Sequence, residues 1–173
     1  MDATTTLTGE RADLLEALAA HRHFLRFTVR SLTDEQARQR PTASELTLGG
    51  LVKHVANQEA GWVRFVLEGP GAMPGPDDPG QMERWAEEFR MGPDETLEGL
   101  LAHYAEVARR TDELVRTLPD LDASHPLPEA PWFEAGATRS ARRVFLHIVA
   151  ETAQHAGHAD ILRETLDGQK TMG

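Results

Sequence analysis

The distribution of proline is the sequence feature that most restricts the fold of this chain. All ten prolines lie at Pro41, between Pro70 and Pro93, or between Pro119 and Pro131. Proline lacks a backbone donor and clashes with the preceding turn, so it is strongly disfavoured in a helix interior. The prolines therefore mark connections, and they leave four proline-free blocks in which long helices can form.

Each of the four blocks shows the apolar spacing of an amphipathic helix. The second helix is expected to begin after Thr47, whose hydroxyl can cap it, and the fourth to run from about Ser140 to Leu166. The apolar stripes contain Leu14, Leu18, Leu25, Val29 and Leu32 in the first block, Leu48, Leu51, Val55, Trp62, Phe65 and Val66 in the second, Leu97, Leu100, Tyr104, Val107, Thr111, Leu114 and Leu118 in the third, and Val144 and Leu162 in the fourth.

These blocks predict an all-α protein, a four-helix bundle that forms a single domain over residues 1–173. A capping-box pattern from Thr33 to Gln36 predicts a short helix between the first two long helices. We find no convincing strand and no internal repeat in the sequence.

Two long connections join the predicted helices. Residues 69–93 are rich in proline and glycine and are expected to form a crossover or a lid. The second connection contains Trp132 and Phe133, which are expected to fold back over an opening of the bundle.

The charge balance excludes several classes of partner. Lys+Arg 18 against Asp+Glu 28 gives a formal net charge of −10, which argues against nucleic acid or an anionic membrane surface. No apolar run approaches the roughly 20 residues that a membrane span needs, and the N-terminal residues lack the regions of a signal peptide. The absence of cysteine excludes disulfides, thiolate metal ligands and a cysteine nucleophile. We expect a soluble, cytoplasmic protein.

Four polar residues share one face of the fourth helix: His147, Glu151, His155 and His158. Their spacings are four, four and three, so at roughly 100° per residue they lie on a narrow stripe. Apolar residues extend this stripe in both directions, which predicts that the polar residues point into the core. Burying them without partners would cost on the order of several kcal/mol, and a metal ion is the simplest compensation.

Glu151 and His155 stand one helical turn apart, so both can bind the same ion. A third ligand has to come from another helix, and His54 is the best candidate because it lies on the core-facing stripe of the second helix. Two imidazoles and one carboxylate suit Zn²⁺, with Ni²⁺, Fe²⁺ and Mn²⁺ as competitors. Three protein ligands leave an open position, as in a catalytic site.

Two familiar metal sites do not fit. A di-iron bundle needs Glu-x-x-His on two helices and carboxylates on the other two, whereas the spacing here is Glu-x-x-x-His. The inward stripes of the first and third helices also carry no acidic residue, and no His-Glu-x-x-His motif occurs.

The polar residues of this stripe and His54 can also be explained without a metal ion. Glu151 and His155 could form a buried hydrogen-bonded pair, and His54 could be a satisfied core residue. His147 is expected to orient a ligand or to fill the core. His158 is expected either to line the pocket, where it could act as a general base, or to be structural.

Three arginines of the fourth helix are predicted to keep the helix soluble and not to bind an anionic cofactor. They are Arg142, Arg143 and Arg163.

Two segments carry a family resemblance. T-L-G-G-L-V-K-H-V-A-N-Q-E-A-G-W and H-I-V-A-E-T-A-Q-H-A-G-H-A-D-I-L-R-E resemble the DinB-like four-helix-bundle family. They are closest to its branch related to mycothiol-dependent maleylpyruvate isomerase and the mycothiol S-transferases. The resemblance implies one divalent metal ion held by His54, Glu151 and His155, and a homodimer packed through helices. Glutamate at position 151, where most of the wider family has histidine, points to the thiol-using branch.

The resemblance also implies a function. It predicts a divalent-metal-dependent S-transferase in which zinc deprotonates a low-molecular-weight thiol, mycothiol or an analogue. The thiolate would then attack an electrophilic small molecule, with His158 as the candidate catalytic residue. The alternatives are a metal-dependent hydrolase of the same family and a non-enzymatic metal-binding or stress-associated bundle protein.

Overall fold

Four long helices and one short helix contain most of the residues that the structure describes. The structure is a computed structural model, and it describes residues 7, 9–73, 80, 83, 87–130 and 132–171. The helices are α1 (Glu10–Thr28), α2 (Asp34–Arg38), α3 (Leu48–Glu68), α4 (Leu97–Thr117) and α5 (Ala141–Asp167), with a short 3₁₀ helix at Pro70–Ala72. The predicted all-α bundle, including the short helix after α1, is confirmed.

Side chains cap the N-termini of four of these helices. Thr33, Thr47, Thr96 and Ser140 each accept a hydrogen bond from the backbone N–H three residues later. At Thr33 the side chain of Gln36 completes a reciprocal capping box. Such caps satisfy N–H groups that a helix leaves without partners, which explains why the predicted starts of α2 and α3 agree with the structure.

The first helix is shorter than its apolar stripe suggested. It ends at Thr28, and the chain turns at Ser31, whose φ of 57° lies in the left-handed region. Leu32 therefore packs on the core from the loop and not from the helix.

The bundle core consists of two apolar clusters separated by a polar layer. α5 packs against α1 and α3, and α3 also packs against α4. One cluster contains Ala156, Ala159 and Leu162 of α5, and the other contains Val144 and Ile148 of the same helix. The segment of α5 between the clusters carries two of the three predicted metal ligands, Glu151 and His155.

A buried ion pair occupies the same layer. Arg22 of α1 and Glu59 of α3 are both buried, with Glu59 only 1% exposed. Nε of Arg22 donates to Oε2 of Glu59 at 3.2 Å, and its Nη1 donates to Oδ1 of Asp112 on α4 at 2.7 Å. Asp112 is half-buried, so α4 presents an acidic group towards the core that its apolar stripe did not reveal. One guanidinium thereby joins three helices.

Arg163 has a structural role that the sequence analysis did not predict. Its side chain was expected to solubilise the helix, but the residue is 1% exposed. Nη1 donates to the carbonyl oxygens of Thr28 and Arg30 at 2.8 and 2.9 Å, and Nε pairs with Asp167 at 2.9 Å. Arg163 therefore satisfies carbonyl groups at the C-terminus of α1 and fixes that end against α5.

A short β-ribbon corrects the expectation that no strand would be present. β1 (Ser124–Pro126) pairs antiparallel with β2 (Thr138–Ser140), and His125 lies opposite Arg139. Strands of three residues are too short to show the alternation by which a strand is recognised. Of the two aromatic residues in this connection, Phe133 packs against the core, whereas Trp132 is 57% exposed.

Within the described residues, no helix is both long enough and apolar enough to span a membrane.

We predict that Glu59→Leu destabilises the bundle by about 3–5 kcal/mol, because the buried guanidinium of Arg22 loses its main partner. Urea unfolding measures the change. The matched control is Arg22→Met combined with Glu59→Leu, which removes both charges and should recover most of the loss. A double variant as unstable as the single one would contradict this account.

Candidate metal centre

Three side chains from two helices converge in the polar layer. Glu151 and His155 lie one turn apart on α5, and His54 faces them from α3. Nε2 of His54 and Nε2 of His155 each lie 3.1 Å from the same carboxylate oxygen, Oε1 of Glu151. One ligand atom from each residue falls within 4.8 Å of the other two. The structure therefore brings together all three residues that the sequence analysis named as metal ligands.

The site has a buried side and an accessible side. His54 and His155 are only 5% and 7% exposed, whereas Glu151 is half-buried. Hydrogen bonds from His155 and His54 hold the pKa of Glu151 far below its usual range. Burial by itself would lower the pKa of His54, but the carboxylates of Glu151 and Glu88 raise it above its usual value. The carboxylate is thus ionised, and it faces the two ring nitrogens from the accessible side.

This donor set fits a single divalent cation. Imidazole nitrogen together with carboxylate oxygen suits zinc and its first-row neighbours. Two buried histidines that share one carboxylate oxygen already have the convergence that a common ion requires. Three protein ligands would leave a coordination position open.

Two residues beside His54 escaped the sequence analysis. Oε1 of Glu88 lies 3.3 Å from Nδ1 of His54, within ion-pair distance although that nitrogen forms no hydrogen bond in the described residues. Phe89 stacks on the imidazole at a centroid distance of 4.1 Å. Gln58 donates to Glu88 at 3.2 Å and orients the carboxylate. A carboxylate behind a histidine ligand fixes the ring and raises its basicity.

Gly50, at the start of α3, leaves space for the backbone of the segment around Glu88 to pack against this helix. A Cβ on Gly50 would lie 1.8 Å from the carbonyl oxygen of Phe89, which is far inside contact distance. Thr47 holds the same carbonyl with its hydroxyl at 3.2 Å. Two adjacent glycines normally lower the stability of a helix. At this position they leave the space through which Glu88 and Phe89 reach His54.

The other two histidines of the stripe lie beside the triad. Nδ1 of His158 is 3.3 Å from Nδ1 of His155, on the side of the ring that faces away from Glu151. His147 packs edge-on against Trp62 at 4.8 Å, and burial together with Arg139 lowers its pKa. The structure does not place either residue among the converging ligand atoms.

Comparisons with known proteins agree with the architecture. A solved structure described as a conserved protein from Enterococcus faecalis has a TM-score of 0.65 at 13% identity, covering 94% of this chain and 100% of that one. A likeness at this identity concerns the fold alone. No curated protein matches the chain. A family model described as mycothiol S-transferase matches residues 13–168.

We predict that Gly50→Ala lowers the free energy of unfolding by about 2 kcal/mol or more, because the new methyl group collides with the backbone at Phe89. Gly61→Ala is the matched control in the same helix, since a Cβ there meets no atom within 4 Å. Alanine favours helix, so this control should gain about 0.5–1 kcal/mol. Urea unfolding of both variants provides the test, and equal stabilities would refute the close approach.

Proposed function

This chain belongs to the mycothiol S-transferase family, and from that membership and the geometry of the site we propose that it is a metal-dependent thiol S-transferase. Family membership supports transfer of a thiol such as mycothiol. The dependence on a divalent metal ion, zinc by preference, is our proposal. The observation that carries it is the convergence of His54, Glu151 and His155 within 4.8 Å.

The triad would hold the ion and leave its accessible side free for substrates. His54 and His155 would contribute nitrogen atoms of buried side chains, and Glu151 would contribute an oxygen atom of the more exposed side chain. When bound, a divalent metal ion favours the thiolate form of a coordinating thiol at neutral pH. A thiol from solution is required as the nucleophile because the chain contains no cysteine.

The side chains around the triad have two proposed roles: some hold a triad residue in place, and one transfers a proton. Glu88 and Phe89 hold the ring of His54 in place. His158 is the proposed catalytic residue for proton transfer, since it is half-buried beside His155 and is not one of the three converging ligands. In the reaction the thiol would release its proton to solvent and its sulfur would form a bond to an electrophilic carbon. The leaving group would depart with the electron pair of the broken bond, and His158 could donate a proton to it.

We predict close to one equivalent of zinc or another divalent ion per chain in tag-free protein purified without added metal. His155→Gln should lower the zinc affinity by more than about 100-fold, the upper limit for partners outside the ligand shell. His103→Gln removes an exposed histidine on α4 and should leave the affinity unchanged. Chelator competition provides the measurement.

Melting temperatures of the zinc-loaded and metal-free protein distinguish a thiol transferase from a protein that only binds metal. Mycothiol should raise the melting temperature of the zinc-loaded protein but not of the metal-free protein. Protein that stays folded without metal and gains nothing when titrated with zinc would contradict the proposal.

We predict that Glu88→Gln weakens zinc binding by about 10- to 100-fold, because His54 loses the carboxylate behind its ring. Glu87→Gln is the matched control, since its side chain is exposed one residue earlier. Chelator competition on both variants decides the outcome. Equal zinc affinities would show that Glu88 does not act through His54.

A further inference from the structure

An arginine of the β-ribbon lies against two aromatic rings. Cζ of Arg139 is 4.7 Å from the ring centroid of Trp62 and 5.4 Å from that of Phe133. Arg139 is the central residue of β2 and pairs with His125 in the ribbon. Nε2 of His125 contacts the carbonyl oxygen of Val66 on α3 at 3.2 Å. The ribbon is therefore fixed to α3, and it places the guanidinium against the ring of Trp62.

This guanidinium lacks the partner that a buried donor normally has. Its Nη1 is buried and forms no hydrogen bond within the described residues, although buried donors are nearly always paired. Cation–π contact attracts the guanidinium to the rings but supplies no acceptor for this N–H group in the described part of the chain. Among the described residues, the guanidinium therefore has aromatic neighbours but a donor that is left for another partner.

The charge around Arg139 is also uncompensated. Burial and the neighbouring guanidinium of Arg143 both lower the pKa of Arg139. Arg142 is neutralised by Glu10 and Asp122, whereas in the described part of the chain neither Arg139 nor Arg143 has a carboxylate within ion-pair distance. No acidic residue occupies the first turn of α5. A locally positive site in a chain of net charge −10 indicates that an anion from outside belongs there.

A series of contacts leads from Arg139 towards the metal triad. The ring of Trp62 contacts both Arg139 and His147, and its centroid lies 4.8 Å from that of the imidazole. His147 precedes Glu151 by one turn of α5, and both Arg139 and Glu151 influence its pKa. One indole and one imidazole therefore connect the unpaired guanidinium to the turn of α5 that precedes Glu151.

We propose that Arg139 binds a carboxylate of the electrophilic substrate, so that the substrates of this protein are small anionic electrophiles. The proposal rests on the proposed transferase function, because it assigns one end of the substrate to Arg139 and the reacting end to the triad. A guanidinium between aromatic rings suits a planar carboxylate, to which it can donate two parallel hydrogen bonds.

A matched pair of electrophiles tests the proposal. 4-(Bromomethyl)benzoate and 4-(bromomethyl)benzamide carry the same leaving group and differ in charge at the opposite end of the ring. With zinc-loaded protein and mycothiol, kcat/KM for the carboxylate should exceed that for the carboxamide by about 10- to 100-fold, as expected for a charge-assisted hydrogen bond. Arg139→Gln should bring this ratio close to one, whereas Arg139→Lys should retain part of it.

Arg64→Gln is the matched control. Arg64 is exposed on α3, two residues from Trp62, so its loss changes the net charge equally without touching the proposed site. A ratio that falls equally in Arg64→Gln and Arg139→Gln would mean general electrostatic attraction and would overturn the proposal. The KM for mycothiol, measured with the carboxamide as electrophile, shows whether Arg139 binds the thiol or the electrophile. A rise in that KM confined to Arg139→Gln would assign Arg139 to the thiol and would also overturn it.

Equilibrium binding separates this proposal from the proposed function. Calorimetry with unreactive 4-methylbenzoate and 4-methylbenzamide needs no turnover. Binding of the benzoate but not of the benzamide, abolished in Arg139→Gln, would support the anion site even if no transferase activity were found. Transferase activity without any preference for the carboxylate would leave the proposed function standing and refute the role of Arg139.

Discussion

The compensation of charge inside the helix bundle is the constraint on which the rest of this structure depends. The apolar clusters at its two ends do not meet, and the layer between them contains a guanidinium and several carboxylates. Arg22 stabilises this layer because its pairing with Glu59 and Asp112 holds α1, α3 and α4 together. Arg163 acts at one end of the bundle, where it joins α5 to the last carbonyl groups of α1. A buried charge without such partners would cost several kcal/mol, on the order of the whole stability of a domain.

The triad of His54, Glu151 and His155 differs from these closed networks. Arg22 and Arg163 have acceptors on several sides, whereas both histidines direct a nitrogen to a single carboxylate oxygen. The surroundings nevertheless hold the triad firmly. The segment containing Glu88 and Phe89 packs on the start of α3 because a glycine leaves space for its backbone. A closely packed but incompletely paired triad is the arrangement that the proposed binding of an ion and a substrate requires.

The sequence predicted those parts of the protein that depend on local chemistry or helical period. Proline positions, caps at Thr33 and Thr47, and the polar stripe of α5 all follow from interactions within a few residues, so the helices and the pair Glu151 and His155 could be named. His54 lies on another helix, and its assignment depended mainly on the family resemblance. Glu88 could not be named, because its role depends on the path of a long connection across α3. Arg139 was missed for a related reason, since a ribbon of three-residue strands gives no readable pattern. Arg163 was misjudged because a charged residue in a helix is normally exposed, and only the end of α1 shows why this one is buried.

The contact between His155 and His158 determines where protons can reside. A neutral imidazole has one proton, and a His155 that uses Nε2 as a ligand must keep that proton on Nδ1. Since Nδ1 of His158 lies 3.3 Å away, it has to accept this hydrogen bond, and the neutral tautomer of His158 then carries its own proton on Nε2. Loading of the site would therefore select one tautomer in two successive rings. His158 would enter the reaction as a hydrogen-bond donor at Nε2, so occupation of the ligand position and the direction of proton transfer would be coupled through a single pair of histidines.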